Sequence, residues 1–437
     1  MAKPNRKHRA AKLAARQGGA EFWAILNGGA DRPPTAQEIG NALVEVALQT
    51  VRLGNSGAVF ARTFGAQLAG EEQLAAEIAH GAGLAGQRVI AAVFENGWLP
   101  ADVWEAARRR VDEFATGLLL DSMAAYIEPF ARESVDETWL AQLEDIGART
   151  WWSREEPHFE QWATRQMLTR EEALTTVVEA LALLVGLPKM ERIRALPGKA
   201  RPRTETPHHI DEKALSRVRG LLAKAESTSF PEEAEALSAK AQELMTKYAL
   251  DRVLVEADAA APDLPGARRI WLDTPYVDAK ALLIDVVATA NRCRAIFASD
   301  WGFVTIVGDD ADLDAVELLS TSLLVQATRA MIASGNKESR SEEARSRAFR
   351  KAFLVSYATR IGERLAAATA ATIAESAAPE RLLPVLASHE IAVNAAFEAL
   401  FPRSRSRGIA IRSAEGWDAG RAAADRARLD SRRPIDK

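Results

Sequence analysis

The chain has 437 residues, enough for two or three ordinary domains, and a hydrophobic share of 48% is enough to bury a real core. A charged share of 27% argues against wholesale disorder, and a formal net charge of −4 provides no global attraction to nucleic acid or to a membrane surface. The lone cysteine, Cys293, excludes an intrachain disulfide and a cysteine-built zinc site, which fits a reducing cytoplasm.

Residues 1–34 form a basic tail and linker, with Lys3, Arg6, Lys7, Arg9, Lys12 and Arg16 before any acid. The tail lacks the apolar core and cleavage site of a secretory signal. The greasiest later run, Ala180 to Leu187, is too short to span a bilayer. Thr35-Ala36-Gln37-Glu38 then reads as a capping box that opens a helical domain over 35–196. Its clearest helices are expected near 71–95, 101–126, 136–147 and 170–186, with breaks at Pro157 and Pro188. Trp98, Trp104, Trp139, Trp151, Trp152 and Trp162 are expected to fill gaps between these helices.

A proline-rich linker follows at 197–209. Over 210–257 the apolar spacing is the most regular in the chain. Leu215, Val218, Leu221, Leu222 and Ala225 line one helix; Ala234, Leu237, Ala241, Leu244, Met245 and Tyr248 line a second. Ser229-Phe230-Pro231-Glu232 between them reads as a second capping box. So short a turn forces the two helices to pack antiparallel, and each is too short to stand alone. A linker at 258–267 precedes a small α+β domain over 268–373. Short strands are expected at 269–272, 294–297 and 303–307, and helices at 276–291, 312–333 and 341–373. Residues 374–437 read as a helical, basic extension. The expected fold class is therefore mainly α with a small α+β domain: an N-terminal helical domain, a central antiparallel αα-hairpin, and a short three-stranded sheet packed by long helices.

The strings Leu221-Leu222-Ala223-Lys224-Ala225-Glu226-Ser227-Thr228, Phe230-Pro231-Glu232-Glu233-Ala234-Glu235-Ala236, Lys240-Ala241-Gln242-Glu243-Leu244-Met245 and Lys247-Tyr248 resemble the family known as domain of unknown function 2786 (DUF2786), over about 211–250. The segment 268–373, with Asn291-Arg292-Cys293-Arg294 and Arg347 to Phe353, looks like the domain that usually trails this hairpin. Gly97-Trp98-Leu99-Pro100-Ala101-Asp102 is similar to the helical regions that precede it in actinobacterial members. The resemblance implies a bacterial or phage protein of a family with no established activity, so no catalytic or binding residue is carried over.

The chemical motifs are incomplete. Gly81-Ala82-Gly83-Leu84-Ala85-Gly86 fits a dinucleotide fingerprint but follows a helical pattern rather than a strand, which suits a close helix crossing. Gly54-Asn55-Ser56-Gly57-Ala58 falls short of a nucleophile elbow. His389-Glu390 lacks the second histidine of a zincin, because position 393 is Val. Asp309, Asp310, Asp312 and Asp314 read as acids at a helix N-terminus, the alternative being a Mg²⁺ site. Cys293 reads as a buried small hydrophobe.

No catalytic residue, cofactor or metal ligand is therefore expected. The leading expectation is a non-enzymatic macromolecular interaction protein, with Lys224, Glu226, Glu233 and Lys240 of the hairpin as candidate contacts for a protein partner. The alternative is a nucleic-acid-associated protein, related to phage or mobile elements, with Arg347, Arg350, Lys351, Arg403, Arg405 and Arg407 as candidate phosphate contacts. An enzyme whose site is assembled from distant residues is the third reading, and no membrane partner is expected.

Overall fold

The computed structural model describes residues 32–200, 209–228, 231–256, 265–337, 346–374, 379–402 and 413–426. It is mainly helical with one small antiparallel sheet, and it divides into two compact units, 1–203 and 204–437.

The N-terminal unit contains α1 (Ala36–Arg52), α2 (Gly57–Ala69), α3 (Ala75–Glu95), α4 (Pro100–Arg110), α5 (Glu113–Ile127), α6 (Glu137–Asp145), α7 (His158–Arg165) and α8 (Arg170–Val185). The expected capping box opens α1: the Glu38 amide donates to Thr35 Oγ1 at 3.3 Å, and the Thr35 amide donates to Glu38 Oε2 at 2.8 Å. An Arg32 hydrogen bond and those from Thr35 hold the exposed Glu38 carboxyl down at about 2. Thr169 and Glu172 repeat the device at α8.

The helix expected over 101–126 is two helices. Asp112 caps α5 by accepting from the Ala115 amide at 2.8 Å, and this local bond competes with continuation of α4. The 97–102 phrase also has a structural role. Pro100 takes the first turn of α4, Asp102 accepts from the Leu99 amide at 3.1 Å, and the Trp98 indole donates to the Pro188 carbonyl at 2.8 Å.

The glycine triplet at 81–86 lies within the unbroken α3. A Cβ on Gly81 would come within 2.8 Å of the Ala36 carbonyl oxygen, and one on Gly40 within 2.9 Å of the Gly81 oxygen. The glycines thus let α1 and α3 touch backbone to backbone, as expected for a close crossing.

The C-terminal unit contains α9 (His209–Ser227), α10 (Pro231–Glu256), β1 (Gly266–Trp271), α11 (Val277–Ala290), β2 (Arg294–Ala298), β3 (Phe303–Gly308), α12 (Asp310–Lys337), α13 (Arg347–Ala374), α14 (Pro379–Leu400) and α15 (Ala414–Arg426). The strand order is β1-β3-β2, antiparallel throughout, with Arg269 opposite Thr305 and Ile296 opposite Thr305. Strand β1 begins at Gly266, inside the segment read as a linker. The second capping box falls on Ser229 and Phe230, outside the described residues.

Helices α9 and α10 pack on each other with the expected stripe inward. Val218, Leu222, Ala241 and Met245 are buried in the same cluster as Ile284 and Val287 of α11, Val304 and Ile306 of β3, and Phe349 and Phe353 of α13. Hairpin and α+β segment, read from sequence as two domains, therefore share one core. A reciprocal amide pair reinforces the join. Gln242 Nε2 donates to Asn291 Oδ1 at 3.2 Å, and Asn291 Nδ2 donates to Gln242 Oε1 at 3.3 Å. Gln242 is fully buried and Asn291 is 1% exposed.

Helix α15 closes on α13 through Gly416 and Gly420. A Cβ at either position would overlap the carbonyl oxygen of Phe349 or Phe353. This i, i+4 glycine pair lies on one face of the helix and permits close backbone approach. The segment read as a basic extension thus contributes Ala424 to the core, with Trp417 packed against it.

Candidate functional site

In the N-terminal unit, α3, α5, α7 and α8 surround a cleft of about 80 Å³, roughly the liquid volume of two or three waters. Small residues of α3 (Ala82, Gly83 and Gly86) form one wall. Leu118 and Leu119 of α5 and Val177, Leu181 and Leu184 of α8 form the apolar remainder. Around a Cβ built on Gly83 there is open space, and one on Gly86 would touch only Ser122 Oγ, at 3.3 Å. Exposed Gln87 and half-buried Trp152 also line it.

The polar side of the cleft is Asp121 of α5 and His158 at the start of α7. Asp121 is 8% exposed, and its Oδ2 lies 2.8 Å from His158 Nε2. Its other oxygen accepts from Trp151 Nε1 at 2.9 Å. A carboxylate can only accept here, so the Nε2 proton is assigned to the imidazole. The second ring nitrogen, Nδ1, makes no hydrogen bond to a described residue. Trp152 meets the imidazole edge to face at 4.4 Å, Trp151 at 6.0 Å, and the Arg165 guanidinium covers the Trp151 ring at 4.2 Å.

The loop that carries these tryptophans is fastened locally. Gln161 accepts from the Ser153 amide at 2.9 Å and donates to the Ser153 and Glu156 carbonyls at 2.9 and 3.0 Å. Arg154 pairs with Glu128. Asp121 and His158 are thirty-seven positions apart, so no local motif announces them. The expectation that the tryptophans fill gaps describes Trp98, Trp139 and Trp162, each at most 1% exposed. Trp151 and Trp152 are half-buried and instead surround the imidazole.

The residues singled out from sequence sit elsewhere. Lys224 and Glu233 meet across the hairpin turn at 3.2 Å, and the Thr228 hydroxyl donates to Glu233 at 2.7 Å. These bonds, the hydroxyl first, hold the Glu233 carboxyl below its usual range. The Glu226 carbonyl accepts from Arg329, while Lys240 pairs with Glu243 at 2.6 Å. The hairpin's apolar face is turned into the core. Arg347 and Arg350 are exposed on α13, whereas Lys351 pairs with Asp278 and Arg360 pairs with Glu363 at 2.5 Å. Arg403, Arg405 and Arg407 lie outside the described residues.

Three of the four acids read as a possible Mg²⁺ site are instead partnered by bases. Asp309 meets His389 at 3.0 Å, Asp312 meets Arg292 at 2.7 Å, and Asp314 meets Arg268 at 2.6 Å. Among the described residues, no group of three or more His, Cys, Asp or Glu is placed to hold a metal ion. Cys293 is 2% exposed, with its thiol 3.4 Å from the Asn291 carbonyl. Among the same residues, no helix is long and apolar enough to cross a membrane.

The hairpin is thus an antiparallel αα unit whose greasy side completes a larger core. Residues 213–252, nearly all of it, match the model of a family described as a protein of unknown function (DUF2786). No curated protein and no solved structure matches the chain.

Proposed function

We propose that the chain is a non-enzymatic binding protein whose N-terminal unit takes a small, largely apolar molecule into the cleft between α3, α5, α7 and α8. The observation that carries this reading is unfilled space beside the hydrogen-bonded pair of buried Asp121 and half-buried His158. Close-packed interiors leave few voids larger than a water, and an apolar hollow with a few convergent polar groups is the usual form of a ligand site. Binding is favoured over chemistry because the nearby hydroxyl, Ser122 Oγ, donates to the Leu118 carbonyl of its own helix at 2.9 Å. The cleft is favoured over the hairpin because the hairpin's candidate contacts bond to neighbouring residues of the same unit.

The test is saturation-transfer NMR on the full chain, with ethanol and acetonitrile as probes, which suit a hollow of two or three waters. Transfer to at least one probe is expected, and it should disappear in Leu181→Trp, which places an indole in the cleft. Absence of transfer to both probes, or transfer unchanged in a folded Leu181→Trp protein, overturns the reading.

A further inference from the structure

The sheet of the C-terminal unit has two edges, and the sequence guards them unequally. Strand β3 is paired on both sides, so β1 and β2 each turn one side outward. An outward strand edge is a template for another strand, and proteins blunt it with charged side chains or proline. Strand β1 carries Arg268 and Arg269, with Arg268 held by Asp314 and Glu317 of α12. In β2 the run Ala295-Ile296-Phe297-Ala298 has neither charge nor proline, and all four residues are half-buried. Apart from the pairing with β3 and the turn closed on the Ala298 carbonyl by Trp301 and Gly302, their backbones make no hydrogen bond to a described residue. Ala295 and Phe297 pack against the core cluster. Ile296 lies on the opposite face by alternation, the face from which the Arg294 guanidinium covers Phe397 of α14 at 4.6 Å.

We propose that a second copy of this chain pairs with β2, antiparallel to it and about a two-fold axis through its middle, so that the two three-stranded sheets join edge to edge. The occupant is a second copy because the edge complements itself. Exposed Arg294 stands at the start of β2, and exposed Asp300 stands just past its end. Antiparallel pairing brings the Arg294 of each copy to the end of the other strand that carries Asp300, whereas parallel pairing would set Arg294 beside Arg294. Residues directly opposite in antiparallel strands share a face, so Ile296 of each copy meets the apolar middle of the other strand. A two-fold contact of this kind closes on itself and stops at a dimer.

Sedimentation velocity on the full-length protein over a dilution series tests the pairing, with amide hydrogen exchange measured at both ends of the series. A monomer–dimer equilibrium is expected. In the dimer, exchange within 294–298 should slow while exchange within 266–271 stays as it is. Ile296→Lys places a cation beside the axis on each copy and should raise the dissociation constant of the dimer at least about tenfold. The exchange pattern of the wild-type protein decides the matter even where that variant fails to fold. A protein that stays monomeric throughout the series overturns the proposal, and so does a dimer in which 294–298 exchanges as fast as in the monomer. Slowing at 266–271 in place of 294–298 would move the contact to β1 and overturn it equally. A folded Ile296→Lys protein that dimerises as tightly as the wild type also overturns it.

Discussion

The two units each hold a hydrogen-bonded polar pair, fully buried in one and half-buried in the other, and the pairs differ in what surrounds them. In the C-terminal unit Gln242 and Asn291 exchange hydrogen bonds, Gln242 Nε2 also reaches Thr246 and Thr369 at 3.3 and 3.4 Å, and both side chains are buried. In the N-terminal unit Asp121 and His158 are equally well bonded on one side, and on the other they face a hollow. The closed pair fixes how two segments of chain meet. The open pair holds an imidazole in a set orientation beside space that the protein's own side chains leave unfilled. Buried polar groups serve both ends, and the neighbouring void distinguishes them.

The contrast can be broken most forcefully at the ion pair that accompanies the closed side. Arg292 and Asp312 are bonded twice, at 3.2 and 2.7 Å, with side chains 17% and 8% exposed. Burial works against the Arg292 charge, and Asp312 more than offsets it, so the guanidinium pKa is raised. Asp312→Ala leaves that charge buried without its carboxylate. It is expected to destabilise the C-terminal unit by about 3–5 kcal/mol, measured by urea denaturation. A loss below about 1 kcal/mol would mean that the pair is effectively solvated.

A middle-sized effect is expected at the amide pair. Asn291→Leu or Gln242→Leu alone strands one buried amide and should cost about 1–3 kcal/mol. The double variant strands neither, so most of that loss should return. Additive losses in the cycle would show that the two amides do not act together.

The smallest and most pointed effect separates two glycines two residues apart on α3. Gly83→Ala meets open space and gains helix propensity, so thermal unfolding should report a gain of about 0.5–1 kcal/mol. Gly81→Ala meets the Ala36 carbonyl and should destabilise. A loss at Gly83 would show that the hollow is narrower than the structure has it.

The hairpin was legible in the sequence because its signal is local. Apolar residues at helical spacing on both sides of a short break leave little choice of fold, and the short strands expected at 269–272, 294–297 and 303–307 overlap those at 266–271, 294–298 and 303–308. The cleft was not legible. Its polar pair comes from helices joined by thirty residues of connecting chain, and Asp121 and His158 each look like an ordinary helix residue when read alone. Gly416 and Gly420 were passed over for a related reason. A glycine's role in a close crossing depends on the partner backbone, Phe349 and Phe353, which the surrounding arginines of the sequence do not reveal. In the same way Lys351 reads as a cation open to phosphate until Asp278 is placed beside it.

The stretch that matches the family model is some forty residues long, yet its helices pack against α12, α13 and α14, which span residues 310 to 400. A family boundary and a folding boundary are therefore different things here. Any chain that carries this pair of rods must also bring something to lay against Val218, Leu222, Ala241 and Met245. What each carrier brings is where its individuality begins.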